Sequence, residues 1–189
     1  MAILTREEIE QIGFASVGEN VLISTKASFY GASKIHIGNH VRIDDFCVIS
    51  AGDGGIFLGS YIHIAVYSSL IGAGKITLMD FSNISSRVSI YSSNDDYSGQ
   101  FMTNPMVPAQ LTNVTHASVL IGKHAIIGSG TIVLPGVTIG NGVAIGALSL
   151  VKNDCEDFFI YAGNPIKKIK ERCRELIEQE NKLITLANH

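Results

Sequence analysis

The chain of 189 residues contains no tryptophan, only 7% aromatic residues and only 16% charged ones. So few large rings argue against a core of interlocking bulky side chains. A net charge of -3, from 14 basic and 17 acidic residues, leaves no electrostatic footprint for nucleic acid. No stretch approaches the roughly 18 uninterrupted apolar residues of a membrane span, and Met1-Ala2-Ile3-Leu4-Thr5-Arg6-Glu7-Glu8 lacks the apolar run of a signal peptide. Three cysteines without paired spacing read as free thiols of a reducing compartment, so the cytoplasm is the expected location. With 46% hydrophobic residues, disorder is excluded as well. What remains is one domain whose apolar residues are spread thinly and regularly.

That regularity is an internal repeat. From Ile121 an aliphatic residue recurs every six positions, at Ile127, Val133, Ile139, Ile145 and Val151. Glycine follows at Gly122, Gly128, Gly140 and Gly146, and a small or branched residue stands four places after each aliphatic, at Ala125, Thr131, Val137, Val143, Ser149 and Cys155. A period of 3.6 would scatter these residues around a helix, and strict alternation would not hold glycine at one phase. A six-residue unit suits a short strand and a sharp corner, with the aliphatic pointing inward and stacking on its equivalents about 4.8 Å away. The pattern predicts a parallel β-solenoid of three hexads per coil.

Upstream the pattern returns as Val17-Gly18, Ile23, Phe29; Ile37-Gly38, Ile43, Ile49; Leu58-Gly59, Ile64, Leu70, Ile76; and Leu78, Ile84, Ile90. Its phase slips at 30–36, 50–57 and 76–78, which read as bulged corners. Cys47 and Cys155 take inward slots as core filler. The period vanishes from about 91 to 119, a polar stretch carrying Pro105 and Pro108, and perfect hexads resume directly afterwards. A long excursion from a continuing solenoid is expected there. Thr5-Arg6-Glu7-Glu8 is a capping box, with Leu4 and Ile9 placed for a hydrophobic staple. Ile166, Ile169, Cys173, Leu176, Leu183 and Ile184 make an apolar stripe at helical spacing from about Pro165 to Ala187. The expected organisation is a helical cap over 1–13, a β-helix over 14–156 with the excursion, and a C-terminal tail and helix over 157–189.

Over Ile121–Lys170 the sequence resembles the left-handed β-helix acyltransferases, most closely the maltose/galactoside-type sugar O-acetyltransferases. The hexads carry the resemblance, together with Gly-Ala-Leu-Ser-Leu-Val-Lys-Asn-Asp at 146–154 and Ile-Tyr-Ala-Gly-Asn-Pro-Ile-Lys-Lys-Ile at 160–169. The resemblance implies an all-β, left-handed parallel β-helix and a homotrimer with acetyl-CoA in the groove between chains. It also implies direct attack by a hydroxyl or amine of a sugar or nucleotide-linked sugar, with a histidine as general base. Matching position by position implicates Ser129, Ala147, Lys152, Lys167 and Lys170 in holding the acetyl-CoA co-substrate.

One departure matters. Where the sugar acetyltransferases place the base, after the coil that opens the loop, this chain has Asn94-Asp95-Asp96. Among the histidines, His116 at the loop's return is the first candidate for the base. His63, pointing outward beside the inward Ile64, is the second, and Asp95 or Asp96 is the third. His36, His40 and His124 read as solvated corner residues and His189 as a tail residue. Arg87, in Ser85-Ser86-Arg87, is a candidate for hydrogen bonding a sugar or its phosphate, with Ser85 beside it. Tyr97 is a candidate for stacking on the sugar ring. No metal is expected. A γ-class carbonic anhydrase would need a third histidine to join His36 and His40, and a non-enzymatic solenoid of the ice-binding kind would need an uninterrupted array of Thr or similar residues on one face.

Overall fold

The computed structural model describes residues 2–187, so His189 lies outside the described residues. Parallel strands of two to four residues stack into three sheets of six, seven and six strands, the walls of a three-sided β-helix, and one antiparallel strand adds an eighth to the second sheet. The first wall joins Val17, Ile37, Leu58, Leu78, Ile121 and Ile139 in register. The second joins Ile23, Ile43, Ile64, Ile84, Ile127, Ile145 and Tyr161. The third joins Phe29, Ile49, Leu70, Ile90, Val133 and Val151. Nearly all of these side chains are buried. Every hexad aliphatic therefore faces inward, and Cys47 and Cys155 fill buried inward slots as expected. Burial pushes their thiols up to about 11 and about 12 respectively.

The glycines after the first-wall aliphatics are fixed by close approach of neighbouring coils. A Cβ on Gly38 would stand 2.5 Å from the carbonyl oxygen of Gly59, and one on Gly122 2.5 Å from the backbone of Gly140. Backbone contacts of this kind leave no room for relaxation.

The phase slips share one location. Between the third wall and the first, the chain takes eight positions from Phe29 to Ile37, nine from Ile49 to Leu58, eight from Leu70 to Leu78 and thirty-one from Ile90 to Ile121. The excursion is thus the longest of a series of additions at a single corner. The third slip falls at 72–75 rather than 76–78, because Ile76 and Leu78 both face inward on one three-residue strand.

At the N-terminus the capping box forms as expected. The Thr5 hydroxyl accepts from the Glu8 N–H, and helix Arg6–Gln11 lays the buried Ile9 over the first coil. The C-terminal segment differs from expectation. Residues Lys167–Glu171 form a strand, antiparallel to Phe159–Ala162, and the helix starts only at Leu176. Strand Phe159–Ala162 is the last parallel rung of the second wall, and the returning chain satisfies backbone groups that a helix would have left open. Ile166 and Ile169 accordingly lie outside the helix. The helix Leu176–Ala187 is anchored by Glu180, which accepts from Lys123 Nζ at 2.5 Å and pairs with His124 Nε2 at 2.7 Å. His124, read from sequence as solvated, has a side chain only 13% exposed. It closes a column of stacked rings through His40, Tyr61 and Phe81. Among the described residues no helix is long and apolar enough to cross a membrane.

Candidate active site

The excursion leaves through a two-residue antiparallel stem, Ser93–Asn94 against Thr115–His116. Its first residues then lie over the outer face of the third wall and enclose a cleft of about 530 Å³. Ile132, Leu134 and Leu150 form the floor of this cleft. Tyr91, Ser93, Asn94, Asp95 and Tyr97 form its rim. Of these eight, only Asp95 and Tyr97 are site residues expected from the sequence. The signal that could have found the floor is bulky aliphatics at an outward phase, where Ser69 and Ser89 stand in earlier coils.

The two aspartates do different work. Asp96 closes a local turn: its carboxylate accepts from the Ser98 hydroxyl at 2.9 Å and from the Gly99 N–H at 3.1 Å. Asp95 is exposed at the cleft rim and has neither a hydrogen bond nor an ion pair among the described residues. A carboxylate in that position is free to accept from a ligand.

The two histidines, unlike that carboxylate, have partners. His116 is exposed on the stem, its Nδ1 2.8 Å from the Ser93 hydroxyl, which also accepts from the Ala73 N–H at 2.7 Å. Ser93 therefore connects His116 to the rim. His63 sits on the second wall, its Nε2 2.9 Å from Asp44, which also accepts from Arg42 at 2.7 Å. Burial pushes the Asp44 carboxyl up, but the bonds from His63 and Arg42 outweigh it and hold the group below its usual range.

The remaining candidates follow the corner between the second and third walls. Arg87 has φ +60° and lays its guanidinium 5.1 Å from the Tyr67 ring, while the Ser85 carbonyl accepts from the Ser68 hydroxyl at 2.9 Å. One coil further, the Gly130 N–H donates to Ser86, and one further again the Leu148 N–H donates to Ser129. Ser129 and Ala147 are thus exposed neighbours on the corner that leads onto the cleft floor, three residues ahead of Ile132 and Leu150 in the chain. Lys152 is exposed just beyond the same sheet. Lys167 and Lys170 lie on the C-terminal strand, not on a helix face as expected. Gly163 and Ile166, just before them, both bond to the backbone of Leu150. None of Lys152, Lys167 and Lys170 has an ion-pair partner among the described residues, in contrast to Lys168, which holds Glu156 at 2.8 Å.

The two histidines considered for a metal site do not share a stack. His36 stacks on Phe57 and His40 on Tyr61, in separate columns. No group of three His, Cys, Asp or Glu side chains that could hold a metal ion occurs among the described residues.

Comparison with known proteins agrees with this geometry. Residues 118–153 match the model of the bacterial transferase hexapeptide (six repeats). A dTDP-4-amino-4,6-dideoxy-D-glucose acyltransferase of Escherichia coli is 61% identical over 96% of this chain and 94% of its own length. A putative lipopolysaccharide biosynthesis O-acetyl transferase, WbbJ of Escherichia coli K12, is 31% identical over 86% of this chain and 74% of its own. Galactoside O-acetyltransferase of Escherichia coli K12, the type the hexads resemble, stands at 27% over 88% of this chain and 68% of its own. Among solved structures, AntD, an N-acyltransferase from Bacillus cereus in complex with dTDP and 3-hydroxybutyryl-CoA, superposes with a TM-score of 0.94 at 47% identity and covers 100% of both chains. A serine variant of the same enzyme, in complex with dTDP-4-amino-4,6-dideoxyglucose and coenzyme A, gives 0.92 at 47%, covering 97% of each. The stacked hexads, the single long excursion and a relative matched along almost its whole length make this chain a member of the hexapeptide-repeat acyltransferases.

Proposed function

We propose that this enzyme transfers an acyl group from acyl-CoA to the amine of a nucleotide-linked amino sugar, dTDP-4-amino-4,6-dideoxyglucose or a close relative. The observation that carries this reading is the exposed, unpartnered Asp95 at the rim of a cleft floored by Ile132, Leu134 and Leu150, in a chain 61% identical to an acyltransferase of that sugar. The amine nitrogen attacks the thioester carbonyl, the C–N bond forms and the C–S bond breaks. The proton lost by nitrogen passes to Asp95, and the departing sulfur leaves as the thiolate of CoA and takes a proton from water. Asp95 ranks above His116 and His63 because it lines the cleft without a partner, while His116 reaches the rim only through Ser93 and His63 is engaged with Asp44 outside the cleft.

Acyl-CoA is read along the second corner. The smooth edge at Ser129 and Ala147 suits a thin pantetheine arm, and the unpaired Lys152, Lys167 and Lys170 suit its phosphates. Arg87, Ser85 and Tyr97 are assigned to the acceptor side. Acetyl is the proposed acyl group; the complex of AntD with 3-hydroxybutyryl-CoA makes a longer one the alternative. A homotrimer is proposed because the resemblance implies an acyl-CoA groove shared between chains. The cytoplasm is proposed from the three free thiols, and a role in surface polysaccharide synthesis from the relative named for lipopolysaccharide.

Thiol release from acetyl-CoA and 3-hydroxybutyryl-CoA, measured against a panel of dTDP-amino sugars and free galactosides, tests the reading. Turnover with the dTDP-amino sugar is expected. Turnover with galactosides alone overturns it. Light scattering at three times the chain's 20.3 kDa supports the trimer, and 20.3 kDa contradicts it.

A further inference from the structure

On the outward face of the third wall, a column that is mostly serine in the early coils becomes aliphatic where the excursion departs. One column of outward residues runs Ser28, Val48, Ser69 and Ser89, in register from coil to coil. The hydroxyls of Ser69 and Ser89 bond each other at 3.2 Å. Beyond the excursion the same column continues as Ile132 and Leu150. Ile132 is 41% exposed. The solenoid core does not need these residues, because the inward positions of the same strands are already filled by the buried Val133 and Val151. Aliphatic side chains clustered on a water-facing sheet surface mark a surface that something covers. Here they lie beneath Asp95, on the floor of one cleft with Leu134.

We propose that Ile132, Leu134 and Leu150 are specificity-determining residues that select an acceptor sugar deoxygenated at the substituent on the ring carbon next to its amine. This inference rests on the acceptor reading above and adds to it the residues that tell a methyl from a hydroxymethyl substituent. A cleft with a carboxylate at its rim and an aliphatic floor directly below complements a ring carrying an amine and, on the next carbon, a methyl. A hydroxymethyl group pressed on the same floor surrenders its water and finds no hydrogen-bond partner among Ile132, Leu134 and Leu150. An apolar pocket discriminates against an added hydroxyl by up to about 10²-fold.

The test compares kcat/KM for two dTDP-amino sugars that differ only in bearing a methyl or a hydroxymethyl group. The wild type is expected to favour the methyl sugar by about 10- to 100-fold. Ile132→Thr and Leu150→Thr, made separately, are expected to bring the ratio toward unity, with thermal melting and molar mass followed in parallel. A wild type that treats both sugars alike overturns the proposal, as does a ratio unchanged in both variants. Parallel loss of both substrates with a fall in molar mass also overturns it and identifies the face as a contact between copies of the chain. If the wild type releases CoA with neither nucleotide sugar but does so with free galactosides, the acceptor reading itself has failed, and the two failures are distinct.

Discussion

The stacked coils and the excursion that leaves them are built on opposite rules. In the coils each side chain has equivalents above and below, as Ile127 has Ile84 and Ile145. Every member of such a column shares its task with its neighbours. In the excursion single residues hold single tasks: Ser93 ties the stem to Ala73 and His116, Asp96 closes one turn, and Asp95 faces the cleft. Repetition builds a rigid support, and the chemistry is concentrated where repetition stops. Substitutions in the two regions should therefore act on different observables, stability for the coils and turnover for the excursion.

The sharpest break of that division is expected at Asp95. Asp95→Asn should lower turnover by roughly 10²–10⁴, the usual worth of general base catalysis, with the melting temperature unchanged. His116→Ala and His63→Ala should cost less. A larger loss in His116→Ala than in Asp95→Asn would move the base to the stem. The converse is expected inside the coils. Ile127→Ala leaves a cavity between Ile84 and Ile145 and should cost about 2–5 kcal/mol in chemical denaturation, while turnover per folded molecule stays at the wild-type value.

A smaller effect of opposite sign is expected at Ser82. Its hydroxyl is buried with no hydrogen-bond partner, in a column between Ile62 and Ala125. Ser82→Ala removes an unsatisfied polar group and should raise stability by about 1 kcal/mol, read as a higher melting temperature. Unchanged or lower stability would show that the hydroxyl has a partner. The smallest effect concerns the C-terminal helix. Lys123 first, and then His124, hold the Glu180 carboxyl below its usual value despite some burial. A depressed carboxyl stabilises the fold above its unfolded value and loses that contribution as pH falls through the folded one. The stability advantage of wild type over Glu180→Gln should thus be constant near neutrality and shrink below about pH 4.5. An advantage that persists in acid would show that the ion pair does not hold the helix.

Much of the fold was legible because the hexad is a one-dimensional code: the same side chain at the same phase must meet its own copies, so Ile121 to Val151 announce their neighbours. The capping box at Thr5 was legible for a similar reason, since it involves residues three apart. The cleft was less so. Asp95 and Asp96 are adjacent and chemically identical in sequence, and only the turn at Ser98 and Gly99 separates their roles. Residues 166–171 carry apolar side chains compatible with a helix. They pair instead with Phe159–Ala162, because the stack ends there and an open strand edge offers backbone bonds that local spacing does not record.

The sequence by itself determined the parallel solenoid, its inward columns, the cap at its start and the interval in which the excursion leaves, because all of these follow from short-range periodicity and its interruption. Only the tertiary structure decided that every added residue falls at one corner. It alone brought Ile132, Leu134 and Leu150 under Asp95, and it set His63 against Asp44 rather than in the cleft. Those outcomes depend on which strand lies above which and on the direction in which a long polar segment folds back, and the six-residue period specifies neither.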